Sequence, residues 1–173
     1  MRNIRLIISY DGTNYHGWQC QPNVLTIQEV LSNSLEKILN HQVTIYAGGR
    51  TDAGVHAMGQ VVNFYTEKTV ELRSLARGLN SMLPRDIRVT DAGEAEISFH
   101  ARYSAKSKTY VYCILNAPYS SPFLDRYVWH IHYPLNILAM DDAAKVIIGN
   151  HDFSAFKKKD EVYKSNVREV FRA

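Results

Sequence analysis

Hydrophobic residues recur along the chain with two periods, and the places where the period changes mark its elements. From Arg2 to Tyr10, Ile4, Leu6 and Ile8 alternate with Arg5, Ile7 and Ser9, which predicts a strand with one buried face. The stretch DGTNYHGWQCQPN, rich in Gly, Asn and Pro, predicts a loop. Over Thr26–Asn40 the period lengthens: Ile27, Val30, Leu31, Leu35, Ile38 and Leu39 share one face of a helix. Thr26 followed by Glu29 has the spacing of a capping box at its start. Val43–Ala47 predicts a second strand and Gln60–Phe64 a third, separated by the glycine-dense GGRTDAG. Glu71–Leu83 reads as a helix stopped by Pro84, and Ile87–Thr90 as a short strand.

Further on, Lys108–Leu115 and Tyr127–His132 predict strands, Asn136–Ile148 a helix with Gly149 as its left-handed cap, and HDFSAFKKKDE a loop. Val167–Arg172 predicts a last strand. Helices alternating with strands predict an α+β or α/β architecture whose two halves could each be a sheet-plus-helix unit. The shift in composition near His100–Ser107 places the boundary between residues 1–102 and 103–173.

Composition narrows the class without naming a chemistry. With 46% hydrophobic and 21% charged residues, the 173-residue chain is globular rather than disordered, collagenous or coiled-coil. No apolar run reaches the ~18–20 residues of a membrane span. The short apolar run near the N-terminus reads as a strand rather than a leader. Cys20 and Cys113 lie far apart and make no disulfide framework, so a reducing cytoplasm is the expected compartment. A net charge of +3 permits an acidic partner without demanding one.

The densest chemistry lies in Gly48-Gly49-Arg50-Thr51-Asp52-Ala53-Gly54-Val55-His56-Ala57-Met58-Gly59-Gln60. Its glycines permit tight backbone and close approach of a ligand. Arg50 and Asp52 are two apart, so in an extended segment both side chains point the same way. A guanidinium beside a carboxylate keeps it ionised, as a nucleophile or base requires. On residue chemistry alone the same pair reads first as a surface ion pair holding a loop shut, since such pairs are common. His56 could contact a ligand or close the loop. Tyr15 and Trp18 read as buried loop anchors before stacking surfaces. His130 and His132 have a spacing compatible with metal but no further ligands, and read as structural or solvent-facing. A phosphotransfer site on Asp11 lacks a second acidic ligand at a recognisable spacing.

The segment GGRTDAGVHAMGQVVNF resembles the active-site motif of the TruA family of tRNA pseudouridine synthases. YDGTNYHGWQ with TIQEVLSNSLEKIL, then LNSMLPRDIRV, FHARYSAKSKTYVYCILN and GNHDFSAF, resemble further segments of that family in the expected order. The resemblance implies that Asp52 is the catalytic aspartate, Arg50 its partner and Tyr110 the ring that stacks on the target base. His56 and Lys108 would join Tyr110 in binding substrate. Lys157–Lys159 read first as a solvated loop; in an RNA-modifying protein they, with Lys106 and Lys108, would be phosphate contacts.

It further implies two domains of the pseudouridine synthase type with mostly antiparallel sheets, the second incomplete here, because the family's histidine–methionine–valine–arginine segment has no match. The implied activity is isomerisation of uridine to pseudouridine in the anticodon stem-loop region of tRNA, by a cytoplasmic homodimer using neither cofactor nor metal. A reading of another class is an RNA-binding or dimerising fragment of such an enzyme with impaired catalysis.

Overall fold

The computed structural model describes residues 1–156 and 165–173, so Lys157–Lys159 lie outside the described residues. The chain divides into two compact units, Met1–Tyr110 and Val111–Ala173. The first is built from β1 (Arg2–Tyr10), α1 (Ile27–Leu39), β2 (Tyr46–Ala47), β3 (Ala57–Thr66), α2 (Leu72–Met82) and β4 (Ile87–Ala95). Its strands lie in the order β2-β3-β1-β4, every neighbouring pair antiparallel. That is the β-α-β-β-α-β arrangement, two interleaved split β-α-β units sharing one sheet.

The alternation in β1 buries Ile4, Leu6, Ile8 and Tyr10 on one face. Val62 and Phe64 of β3 and Ile87 and Val89 of β4 extend that face to either side, through the register Leu6↔Val62, Ile4↔Phe64 and Ile8↔Val89. Ile27, Leu31, Leu35 and Leu39 of α1 and Leu75 and Leu79 of α2 close over it, completing the core of the unit. Removing apolar side chains of this size from water stabilises the fold by about 1.5–3 kcal/mol each.

The helix ends follow their local chemistry. Thr26 Oγ1 accepts from the Glu29 N–H, and α1 ends at Asn40 in the left-handed region at φ 59°. The Glu71 carboxylate accepts from the Arg73 and Ser74 N–H groups, capping α2.

β3 and β4 run beyond their predicted ends, and β2 is shorter than Val43–Ala47. The added part of β4, Asp91–Ala95, holds only small and acidic residues, so no alternation of large apolar side chains announces it. Pairing with β1 holds it there, reinforced by Arg5–Asp91 at 2.6 Å and Arg2–Glu94 at 2.8 Å.

In the second unit, β5 (Ile114–Asn116) pairs with β6 (Trp129–Ile131), α3 spans Ile137–Lys145, and β7 (Gly149–Asp152) pairs antiparallel with β8 (Val167–Val170). The β5–β6 pair is parallel, an exception to the antiparallel pattern. The long connection between them supplies the crossover of a dozen or more residues that parallel strands need.

Three predictions are corrected here. The strand expected from Lys108 begins only at Ile114. α3 stops at Lys145 and its cap is Val146, so Gly149, though at φ +104°, opens β7 instead of capping the helix. Of HDFSAFKKKDE, expected to be a loop, His151 and Asp152 belong to β7, while Ser154–Phe156 form a short 3-10 turn. Among the described residues of this unit, Ile131 is the one buried hydrophobic side chain. No helix among the described residues is long and apolar enough to cross a membrane.

Candidate active site

Arg50, Asp52 and His56 lie on the loop between β2 and β3, which the sheet supports from below and the loop after β1 grips from the side. At its start the Gly48 N–H donates to the Val61 carbonyl at 2.8 Å, and Gln60 Nε2 donates to the Gly49 carbonyl. The Trp18 N–H donates to the Thr51 carbonyl at 3.0 Å, and the Gly54 N–H to the Tyr15 carbonyl at 3.1 Å. Tyr10 Oη and Thr51 Oγ1 share a hydrogen bond of 2.9 Å. Asp52 is thus bracketed on both sides by backbone held to the first loop.

Two glycines of that first loop make the grip possible. A Cβ on Gly12 would stand 2.1 Å from the Val55 carbonyl oxygen. One on Gly17, itself at φ +84°, would stand 2.5 Å from the Thr51 carbonyl oxygen. Both neighbours are backbone, so the two loops could not meet around a larger residue. The turn at Asp52 closes through the Val55 N–H to the Asp52 carbonyl at 3.2 Å, with Gly54 supplying a φ of +78°.

The first loop is anchored by its aromatics. Trp18 is buried, with its ring 6.3 Å from that of Tyr10. Tyr15 is buried and donates to Asp86 Oδ1 at 2.7 Å. Burial first, then the bond to Asp86 and the charges of Asp86 and Asp11, push the Tyr15 phenol well up, so it stays a neutral donor. Burial likewise raises the Tyr10 phenol, partly offset by its bonds to Thr51 and Gln60.

His56 faces the first loop. Its Nδ1 accepts from the Gly12 N–H at 3.2 Å and lies 3.1 Å from Asp11 Oδ1. Asp11 Oδ1 also accepts from the Thr13 N–H at 3.0 Å and from its hydroxyl. These contacts tie His56 to the loop after β1.

Arg50 and Asp52 are both exposed and form no ion pair with each other. The same-side rule for positions two apart belongs to strands, and this stretch of loop is irregular. Lys108 comes to the loop from residues 105–113, which have no regular structure. Its Nζ lies 3.4 Å from where a Cβ on Gly49 would stand. Tyr110, on the same stretch, is 75% exposed rather than packed in a core.

His130 gives its Nε2 to a hydrogen bond with the Ala117 carbonyl at 2.8 Å, while His132 lies edge-on to Tyr133. No group of three His, Cys, Asp or Glu among the described residues is placed to hold a metal ion. The roles of Gly12, Gly17, Thr51 and Asp11 escaped sequence reasoning. The only signal was the glycine content of the first loop, which announces a turn but not what docks against it.

Residues 6–104 match a family model described as tRNA pseudouridine synthase. A protein named tRNA pseudouridine synthase A from Thermoanaerobacter pseudethanolicus is 50% identical over 171 residues, covering 99% of this chain and 70% of the relative. Proteins of the same name from Geotalea uraniireducens and Caldicellulosiruptor saccharolyticus are 48% and 46% identical over the same shares. The family model takes in the sheet from Leu6 onward, both of its helices and both loops of the site, the relatives align over nearly the whole chain, and on these grounds the chain belongs to the tRNA pseudouridine synthase family.

Proposed function

We propose that this protein is a tRNA pseudouridine synthase, an isomerase that converts uridine to pseudouridine, with Asp52 as its catalytic carboxylate. The observation that carries the reading is the clamped, exposed Asp52 inside the region that matches the family. In the reaction the N1–C1′ glycosidic bond breaks, the base turns, and a C5–C1′ bond forms. The proton on C5 leaves to solvent and N1 gains one, so the balance needs no oxidant or reductant. A carboxylate serves this chemistry by attacking C1′, by attacking the uracil ring, or by removing the 2′ proton.

Within this reading Arg50, on the same loop as the aspartate, and Lys108, beside Gly49 of that loop, are cations for the phosphates beside the target nucleotide. Tyr110 offers the unstacked uracil a replacement ring, as extrusion of a base from its stack requires. His56 serves substrate binding indirectly, by holding the loop that the RNA meets. The target lies in the anticodon stem-loop region, the working form is a cytoplasmic homodimer, and the two compact units are its two domains.

The test incubates unmodified tRNA transcripts with the protein and locates pseudouridine by carbodiimide adducts that stop reverse transcription. New stops confined to the anticodon stem-loop region are the expected result. Stops elsewhere would move the target site, and none at all would contradict the activity.

A further inference from the structure

The face of the sheet opposite the helices carries a buried polar network with no part in the site so far described. Asn3 and Asn63 are fully buried there, on neighbouring strands. Asn3 Nδ2 donates to the carbonyls of Glu96 and Phe99, each at 2.8 Å. Asn63 Nδ2 donates to Asn3 Oδ1 at 2.9 Å, and Asn63 Oδ1 accepts from the Ala101 N–H at 2.8 Å. Tyr65 Oη adds a bond to the Ile97 carbonyl at 3.1 Å. Buried amides satisfied in this way fix the backbone they bind. The segment after β4 is therefore pinned to the sheet from Glu96 to Ala101.

What the pinned segment delivers is a row of rings. Tyr65 meets Tyr46 edge-on at 6.2 Å, Tyr46 meets His100 at 4.6 Å, and His100 meets Tyr103 at 4.4 Å. The last turn is closed by the Ser104 N–H to the His100 carbonyl at 2.8 Å, by the His100 N–H to Ser104 Oγ, and by the Arg102 N–H to His100 Nδ1. Tyr103 ends the row 78% exposed, with the Arg102 guanidinium 5.8 Å from its ring centre. The Ala101 carbonyl lies 3.5 Å from where a Cβ on Gly48 would stand, so the segment that carries Tyr103 passes close to the start of the loop carrying Asp52.

We propose that Tyr103, backed by His100 and flanked by Arg102, is a stacking platform for an unpaired RNA base neighbouring the target nucleotide. The inference rests on the RNA substrate proposed above and adds a subsite to it. Extruding one nucleotide strips its neighbour of a stacking partner, and a ring offered beside the catalytic loop replaces what is lost. A tyrosine held by its neighbours before RNA arrives loses little freedom on binding, so most of the stacking gain appears as affinity. Arg102 adds a cation beside the same ring for a phosphate or a base face.

The test measures fluorescence anisotropy of a labelled, unmodified tRNA transcript against the parent protein and Tyr103→Ala, Tyr103→Phe, Tyr103→Trp and Arg102→Ala, at several salt concentrations. Tyr103→Ala is expected to weaken binding by about tenfold. Its slope of log Kd against log salt should equal the parent's, because stacking releases no counterions. Phe should bind as the parent does and Trp more tightly, and since a residue that does not touch RNA gives no such gain, parent-like binding by Trp would count against the platform even should the alanine variant fold poorly. Arg102→Ala should flatten the salt slope. Parent-like affinity in Tyr103→Ala, or equal weakening in Phe, would overturn the platform while leaving the enzyme reading in place. Failure of the parent itself to bind tRNA would overturn both.

Discussion

At the residue scale, the site depends on atoms that are missing as much as on those present. Gly12 and Gly17 let the first loop close on the backbone of Val55 and Thr51 at distances no Cβ tolerates. Gly17→Ala would push the Thr51 carbonyl away and carry Asp52 with it. A misplacement of about 1 Å at a reacting group can cost ~100-fold in rate. Single-turnover assays should therefore find kcat reduced by about that factor, with tRNA affinity within about threefold of the parent. Parent-like turnover would show that the clamp does not position the aspartate. The sequence exposed Asp52, Arg50 and His56 as chemically able groups, because residue type and spacing suffice for that. It could not expose their mutual geometry: the Arg50–Asp52 pairing expected from their spacing is absent, since an irregular loop does not keep a strand's alternation.

At the element scale, legibility followed how completely each element buried one face. β1, α1 and α2 were readable nearly to the residue, because Ile4, Leu6 and Ile8, or Leu31 and Leu35, repeat with the period of the element they form. The second half of β4, with no large apolar side chain, and the strand β7 were not, because pairing partners distant in sequence hold them. α2 carries a further local signal in Glu71, whose carboxylate accepts from Ser74 and Arg73 at the helix start. Those bonds hold the Glu71 carboxyl below the usual carboxylate range. A folded-state pKa lowered in this way contributes stability above the unfolded value and loses it as pH falls through the folded one. Thermal melts should show Glu71→Ala less stable than the parent by a few degrees near neutral pH, with the gap closing below about pH 4. A gap that persisted unchanged in acid would place the effect in something other than the charged cap.

At the scale of the whole molecule, stability and chemistry are concentrated in the same unit. The hydrophobic core, the clamped Asp52 loop and the buried asparagine network all belong to Met1–Tyr110. The second unit keeps one buried hydrophobic side chain among its described residues. Its weaker burial fits the poorer legibility of its elements, since hydrophobic period is the signal a core leaves in sequence. The chain spans 70% of the length of the relatives it matches, yet nearly all of it aligns.

That concentration makes one side chain the test of the whole account. The most direct measurement is release of tritium from tRNA carrying C5-labelled uridine, with the parent and Asp52→Asn assayed side by side. Rejoining the base through C5 frees that hydrogen. The parent should release tritium while Asp52→Asn releases at least about 1,000-fold less and still binds tRNA, as expected when a covalent or proton-transferring group is removed. Release by Asp52→Asn at the parent's rate, or none from a parent that binds tRNA, would contradict the account.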